Sequence, residues 1–541
     1  MIRRSEQPAW RWHVGAGAAY AVIAVVCLNH GESLTQRIAA PGPDPDIFIW
    51  FLEWWPWSIA HGLDPFYTTL VWQPVGVSTL WVTSIPLLSA LALPVTLLAG
   101  PVPSYNLIVV LAPAVSAWCA YRLCLRVSAY PAAALLGGYL FGFSPNAMIQ
   151  TFATPNLGVS CGVPLLLWLA LARFDHAITR RRAVILLALI MMCEFLTSLE
   201  IAATMVLFAA LTWVLAFLWS PSWRPGLTRL LVDALCAAPI VIVLLSPMLW
   251  LLVRRRNEFA IPWYWPYRYS ADAAALIGGI GRRLPGQAPD FSVALLALIL
   301  LFAWENLARP AARFLIALLV ILVVVSLGPE LWIDGRMTGI VLPWLLALHL
   351  PLLGAALPMR FALFVSLAAA LIASLWAARP ASRWRPVRLA LVGVACLLQP
   401  PGSHPAARLP DVPFFAPGRA EALLGPRPRL LILPFAINGD STYWQMQNRF
   451  GFAQTGGYLG PPPAATIEDP AVVQLFDGVQ GPHFLTDFSN FCAATATQDV
   501  VAGPGTPPAL RAALEQLRWP VQSVDGVVIF RVPAPGRTTH G

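Results

Sequence analysis

Apolar runs close to the length of a bilayer crossing follow one another from residue 12 to residue 400 of this 541-residue chain. A hydrocarbon core about 30 Å thick takes roughly 20 apolar residues as a helix. No water reaches that core to satisfy an open strand edge or a bare loop. The chain is therefore expected to be a helical, polytopic membrane protein. Candidate spans are residues 12–29, 105–126, 131–148, 156–173, 183–200, 201–219, 230–252, 291–305, 313–328, 360–377 and 387–400. Two further apolar stretches, 84–99 and 338–353, are shorter or broken by proline. With 58% hydrophobic and 11% charged residues, the composition is not that of an ordinary soluble protein.

The basic balance comes entirely from arginine, since all 35 basic residues are Arg and none is Lys. These arginines sit in short loops between apolar runs, a pattern that sets topology and does not point to nucleic acid. If 84–99 does not cross, six short segments on the N-terminal side of the membrane hold 17 of the 35 arginines. If it crosses, every later cluster flips outward, against the positive-inside tendency. The expectation is about eleven spans, an N-terminus in the cytoplasm, a C-terminus outside, and a surface or re-entrant helix at 84–99. Arg3, Arg4 and Arg11 before the first apolar run resemble a signal peptide. The run lacks a small-residue cleavage site, so it is read as an uncleaved span. Seven of the eight cysteines fall in or beside apolar segments and no CxxC pair occurs, so neither a disulfide framework nor a zinc site is indicated.

After the first span comes PDPDIFIWFLEWWPWSIAHGLDPFYTTLVWQPVGVSTLWVTSIP, residues 43–86. It is too broken by Pro and Gly for a span and too aromatic for a free linker. Aromatic residues with a polar edge favour the membrane–water interface, so this first outer loop (within 30–104) is expected to be structured and to lie on the bilayer. Asp44 and Asp46 stand at its head, two apart across a proline and expected to be extended, with side chains pointing opposite ways. Either a carboxylate here is a general base for an acceptor hydroxyl, or Asp46 caps a helix beginning near Ile47. The transmembrane region is taken as 1–400 and a Pro-rich linker as 401–420. A small α/β domain outside the cytoplasm is expected over 421–541: a buried strand at Arg429–Phe435, a helix at Pro507–Leu517, and a hairpin over Val521–Val532 turning at Asp525–Gly526.

DPDIFIWFLEWWPWSIAHGLDPFYTTLVWQPVG, the LFGFSPN ending of the span near Phe141–Asn146, and LPMRFALF at 357–364 together resemble the type C (GT-C) superfamily of polytopic membrane glycosyltransferases, in an uncharacterised bacterial branch. Against a GD-P-x-x-F-x-W loop pattern, Asp44, Pro45, Phe48 and Trp50 match, and Pro43 replaces the glycine. The resemblance covers most of the chain. It implies an inverting hexosyl- or pentosyltransferase in a bacterial inner membrane, moving sugar from a polyprenyl-phosphate donor to a glycan, lipid or protein hydroxyl on the outer face. Asp44 would be the base, with Asp46 its neighbour. Arg360 of LPMRFALF would hold the leaving phosphate, because a guanidinium fork binds phosphate oxygens bidentately, or else it snorkels at a helix end. The Arg254, Arg255 and Arg256 cluster is the second candidate, against simple headgroup anchoring.

Weaker candidates for substrate contact each have a plain alternative. Glu200 closes a span end, where an ionisable residue marks a site by default or simply meets water. His61 and Asp64 shape a turn before a proline. Trp54, with Trp55 and Trp57, stacks on sugar or anchors at the interface. Tyr458 lies in TGGYLGPPP, which with NGDSTYWQMQ (438–447) carries the amide, hydroxyl and aromatic groups that bind carbohydrate, and the same residues make turns. No cofactor motif is found, and any need for a divalent metal is left open by the sequence. A flippase for lipid-linked glycans, or a non-catalytic envelope-assembly protein on the same scaffold, are the other readings. Against transport stand charges gathered at the outer surface and the lack of an internal repeat.

Overall fold

The computed structural model describes residues 10–28, 37–38, 42–258, 264–276, 291–349, 354, 356–379, 383–399, 407–409 and 411–533. Arg3, Arg4 and part of the Pro-rich linker lie outside the described residues. The chain is mostly helical and forms two compact units. One comprises Met1–Gly31, Leu107–Ser246 and Pro262–His404, the other Glu32–Asn106, Pro247–Ile261 and Pro405–Gly541.

Among the described residues six helices are long and apolar enough to cross a bilayer: Trp10–Leu28, Pro101–Ser128, Pro155–Phe174, Leu199–Trp219, Pro221–Arg254 and Pro358–Ala377. A seventh arises if Pro131–Gly142 and Pro145–Ala153, bent by 47° at the FSP junction, count as one span. The break has a local cause. Ser144 Oγ accepts from Ala147 N at 3.3 Å and caps a new helix that opens on Pro145. The chain is thus a multi-pass membrane protein with six or seven clear spans. Pro86–Ala99, Val293–Asn306 and Pro310–Ser326 are apolar helices of less than spanning length.

The first unit is a bundle around Ala362–Ala377, where thirteen of sixteen residues are buried. Packing there rests on small residues. A methyl group on Gly137 would meet Cys124 Sγ at 2.7 Å, and one on Gly138 would meet the Ala117 carbonyl at 2.7 Å. Without a hydrophobic drive between helices in lipid, such close backbone approach is how they gain contact. Several arginines in or beside helix ends pair with acids: Arg173 and Arg180 with Asp233 (2.6 and 3.2 Å), and Arg379 and Arg388 with Glu305 (2.7 and 3.0 Å). The stretch 338–353 begins as a strand. Arg336–Val341 pairs antiparallel with Glu330–Ile333 across an Asp334–Gly335 turn in which both residues have positive φ. Asp272 holds that turn by accepting from Asp334 N and Gly335 N at 3.0 and 2.6 Å.

In the second unit the first outer loop and the tail make one core. A five-stranded sheet runs in the order Val521–Val524, Val527–Arg531, Asp499–Ala502, Arg429–Leu433, Ala453–Gln454. Arg429–Leu433 is parallel to both its neighbours, and the hairpin turning at Asp525–Gly526 adds antiparallel. The helix Pro43–Ala60 lies against Ser441–Gln447. Gln445 ties the two by accepting from Trp50 Nε1 at 3.0 Å and donating to the Leu70 and Phe452 carbonyls at 2.7 and 3.1 Å. Gln73 N donates to Gln454 O at 2.9 Å and Gln454 N to Leu70 O at 2.8 Å, so the loop is threaded into the tail by main-chain bonds.

Candidate functional site

PDPD is helical, which corrects the expectation of an extended segment with a helix from Ile47. The helix starts at Pro43 after Gly42, whose φ of 110° suits glycine. Both prolines fall in the first turn, where the missing N–H groups have no intrahelical partner in any case. Asp44 and Asp46 are in that turn and so lie about 200° apart around the axis. Negative charge is favoured at this end of a helix.

The two carboxylates meet different surroundings. Asp44 is half-buried, and its Oδ1 accepts from the Tyr458 hydroxyl at 2.8 Å. Tyr458 is delivered by a tight TGGY turn. Gly457 has φ +109°, and a methyl group on Gly456 would meet the Phe435 ring at 2.4 Å. Asp46 is 2% exposed and makes no side-chain cap, so it is not the cap expected from the sequence. Its Oδ2 has no hydrogen-bond partner among the described residues. Burial first, then the charges of Asp440 and Asp44, push the Asp46 carboxyl well above the usual range, because an unpaired buried charge is expensive. Asp440 is itself pushed up by burial. Tyr443 is raised to about 12, by burial and then by Asp46, Asp411 and Asp440.

The site in this unit is therefore a carboxylate, Asp44, held by a phenol beside a buried acid, Asp46, with Asp440 nearby. Asp440 was not singled out by sequence reasoning. Its signal was the NGDSTYWQMQ loop, whose aspartate stands at the start of Ser441–Gln447 and makes no cap bond. Among the described residues no group of three His, Cys, Asp or Glu side chains is disposed to hold a metal ion.

Other predicted residues of this unit serve packing. Trp54 is 1% exposed, stacked on Trp50 at 4.9 Å, with its Nε1 donating to Pro65 O at 3.0 Å. It is core, neither sugar platform nor interfacial anchor, because it is buried against Trp50, Trp57 and the Phe450 ring that meets it edge-on. His61 stacks on Trp57 at 4.2 Å, and Asp64 Oδ1 accepts from Phe66 N at 2.9 Å, closing the turn. Arg255 lies over the Tyr67 ring at 4.2 Å, 3.9 Å from both Asp64 and Glu258. Arg254 lies over Trp250 at 4.9 Å. Arg256 begins a short 3-10 turn. Arg254 and Arg255 thus lie over different rings.

The first unit has a pocket of its own. Arg360, in the 3-10 turn that opens Ala362–Ala377, donates through Nη1 to Glu200 Oε2 in the first turn of Leu199–Trp219. Asn146, Gln150 and Thr204 add polar groups to the wall, which is otherwise apolar. Arg360 Nε and Glu200 Oε1 are buried and have no hydrogen-bond partner among the described residues.

No family model matches the sequence, and no curated protein matches it. Solved structures do. The arabinofuranosyltransferase AftD from Mycobacteria superposes with a TM-score of 0.60 at 16% identity, covering 98% of this chain and 40% of that one. The archaeal oligosaccharyltransferase AglB from Archaeoglobus fulgidus, solved with an inhibitory peptide and a dolichol-phosphate, gives a TM-score of 0.52 at 12% identity, covering 98% of this chain and 76% of that one. The chain thus spans well under half the length of the mycobacterial protein. These likenesses show the fold, which is the GT-C fold expected from the loop and span motifs.

Proposed function

We propose that this protein is a glycosyltransferase that moves a sugar from a polyprenyl-phosphate donor to an acceptor hydroxyl, with Asp44 as general base. The observation that carries the reading is the Asp44 carboxylate. It stands in the first turn of the loop helix of a GT-C fold, partly open to solvent, with one oxygen fixed by Tyr458. Support comes from two neighbours in fold, an arabinofuranosyltransferase and an oligosaccharyltransferase, the second solved with dolichol-phosphate.

In the proposed reaction the acceptor oxygen attacks the anomeric carbon and the bond from that carbon to the phosphate oxygen breaks. The configuration inverts, the polyprenyl phosphate leaves with the bonding pair, and Asp44 receives the hydroxyl proton. Placement near the acceptor matters more than basicity, since a base works only within hydrogen-bond reach. Burial pushes the Asp46 carboxyl up, so the role of base is assigned to Asp44, the more solvent-open of the two. We assign the donor phosphate to the pocket of the first unit, where Arg360 Nε has no hydrogen-bond partner among the described residues and charge developing on a leaving phosphate can be met. We further propose a cytoplasmic N-terminus in a bacterial inner membrane, with 84–99 not crossing, on the arginine distribution. Mass spectrometry of surface glycans from cells with and without the protein tests the activity. Loss of a glycan is expected, and identical profiles would refute it.

A further inference from the structure

The pocket that holds Arg360 also holds its opposite. Glu200 Oε2 accepts from Arg360 Nη1, and both side chains are 28% exposed within the pocket wall. The remaining polar groups of that wall named above, Asn146, Gln150 and Thr204, are uncharged, so the two formal charges of the pocket sum to zero. A site built only to attract phosphate would not keep a carboxylate against its one guanidinium. Neither partner is saturated among the described residues, where Arg360 Nε and Glu200 Oε1 are both buried without a hydrogen bond. The pair therefore has donor capacity left for a ligand and a fixed negative charge beside it.

We infer that Glu200 makes this pocket discriminate between phosphate esters by charge, accepting a lipid phosphodiester and disfavouring the corresponding phosphomonoester. The inference rests on the reading of Arg360 as the phosphate ligand. A diester carries one negative charge, to which Arg360 can donate through Nε while still bonded to Glu200. A monoester with a second pKa near 6 carries close to two charges at pH 8. Its second charge meets no further cation and is repelled by Glu200. Coulomb repulsion scales with ligand charge, so the penalty from Glu200 is about twice as large, on a logarithmic scale, for the monoester. In a transfer reaction the donor is the diester and the lipid product is the monoester, so Glu200 speeds release of the spent carrier.

The test measures binding of undecaprenyl phosphate and of its methyl diester to the full chain in nanodiscs at pH 8, for the wild type, Glu200→Gln and Arg360→Ala. Glu200→Gln is expected to tighten the monoester about tenfold and the diester only about threefold, the ratio set by charge. Glu200→Ala, which removes the same charge, should repeat the pattern and serves if the glutamine variant fails to fold. Arg360→Ala should weaken both ligands. Equal tightening of both lipids, no tightening, or weakening in the Glu200 variants, with Arg360→Ala still losing affinity, overturns the inference and leaves the phosphate assignment standing. Unchanged binding of both lipids by Arg360→Ala overturns the assignment itself.

Discussion

The Tyr458 hydroxyl donates to Asp44 Oδ1 at 2.8 Å, across 414 residues of sequence. This bond ties the tail to the loop helix at the carboxylate proposed as the base. Tyr458→Phe removes it while keeping the ring. A hydrogen bond to a charged group is worth about 1.5–3 kcal/mol, and a base that loses its orientation loses rate. Turnover is expected to fall by about tenfold with the acceptor KM nearly unchanged. Steady-state kinetics on the purified variant checks this, and unchanged turnover would remove Tyr458 from the site.

Asp46→Asn is expected to stabilise the protein at neutral pH, which reverses what a helix cap would predict. The folded carboxyl is raised well above 3.8, chiefly by burial. A group raised in this way contributes stability that is fully present below its unfolded pKa and is lost as pH rises through its folded pKa. Asparagine stays neutral throughout and escapes that loss. The melting temperature of the variant should therefore gain on wild type as pH rises above 4. Thermal unfolding at pH 4 and pH 8 measures it, and a gap that narrows toward pH 8 would contradict the assignment.

Arg360→Lys keeps a positive charge beside Glu200 but gives up the planar fork. If Arg360 holds the donor phosphate, turnover should drop by about tenfold or more with normal abundance. If it only snorkels at the start of its helix, lysine should serve. A near-normal lysine variant would take Arg360 out of the site.

Arg255→Ala separates packing from phosphate binding in the other arginine cluster. A cation over a partly exposed ring is worth about 0.5–1 kcal/mol, and ion pairs at 3.9 Å add little. A small loss of stability with an unchanged donor KM is expected. A raised donor KM at unchanged melting temperature would restore Arg255 as a phosphate ligand.

Six or seven of the eleven expected spans match helices of spanning length among the described residues, legible because lipid enforces a long apolar run on a crossing helix; 291–305 and 313–328 fall on helices shorter than that. Helix Pro43–Ala60 was legible only from Ile47 onward. Two prolines in four residues read as extended chain, yet in a first turn they cost nothing, and this is what turned Asp46 from a surface cap into a buried acid. The Asp525–Gly526 hairpin was found from its turn dipeptide. The same Asp-Gly signal at 334–335 was present but overshadowed by the apolar stretch after it. Trp54 looked like an interfacial anchor because composition says where tryptophans go on average and not which face of a helix they occupy. The approach of Asp440 and Tyr458 to the loop carboxylates was illegible. Nothing local in a sequence records a contact made across some four hundred residues.

Transfer from a lipid-linked sugar donor by purified Asp44→Asn protein tests the central claim most directly. Asparagine keeps the shape and can still accept from Tyr458, but it cannot take a proton. Loss of a general base costs about 10²–10⁴-fold in rate. The account predicts a folded variant of normal abundance and melting behaviour whose turnover falls by that factor. Turnover close to wild type would contradict it.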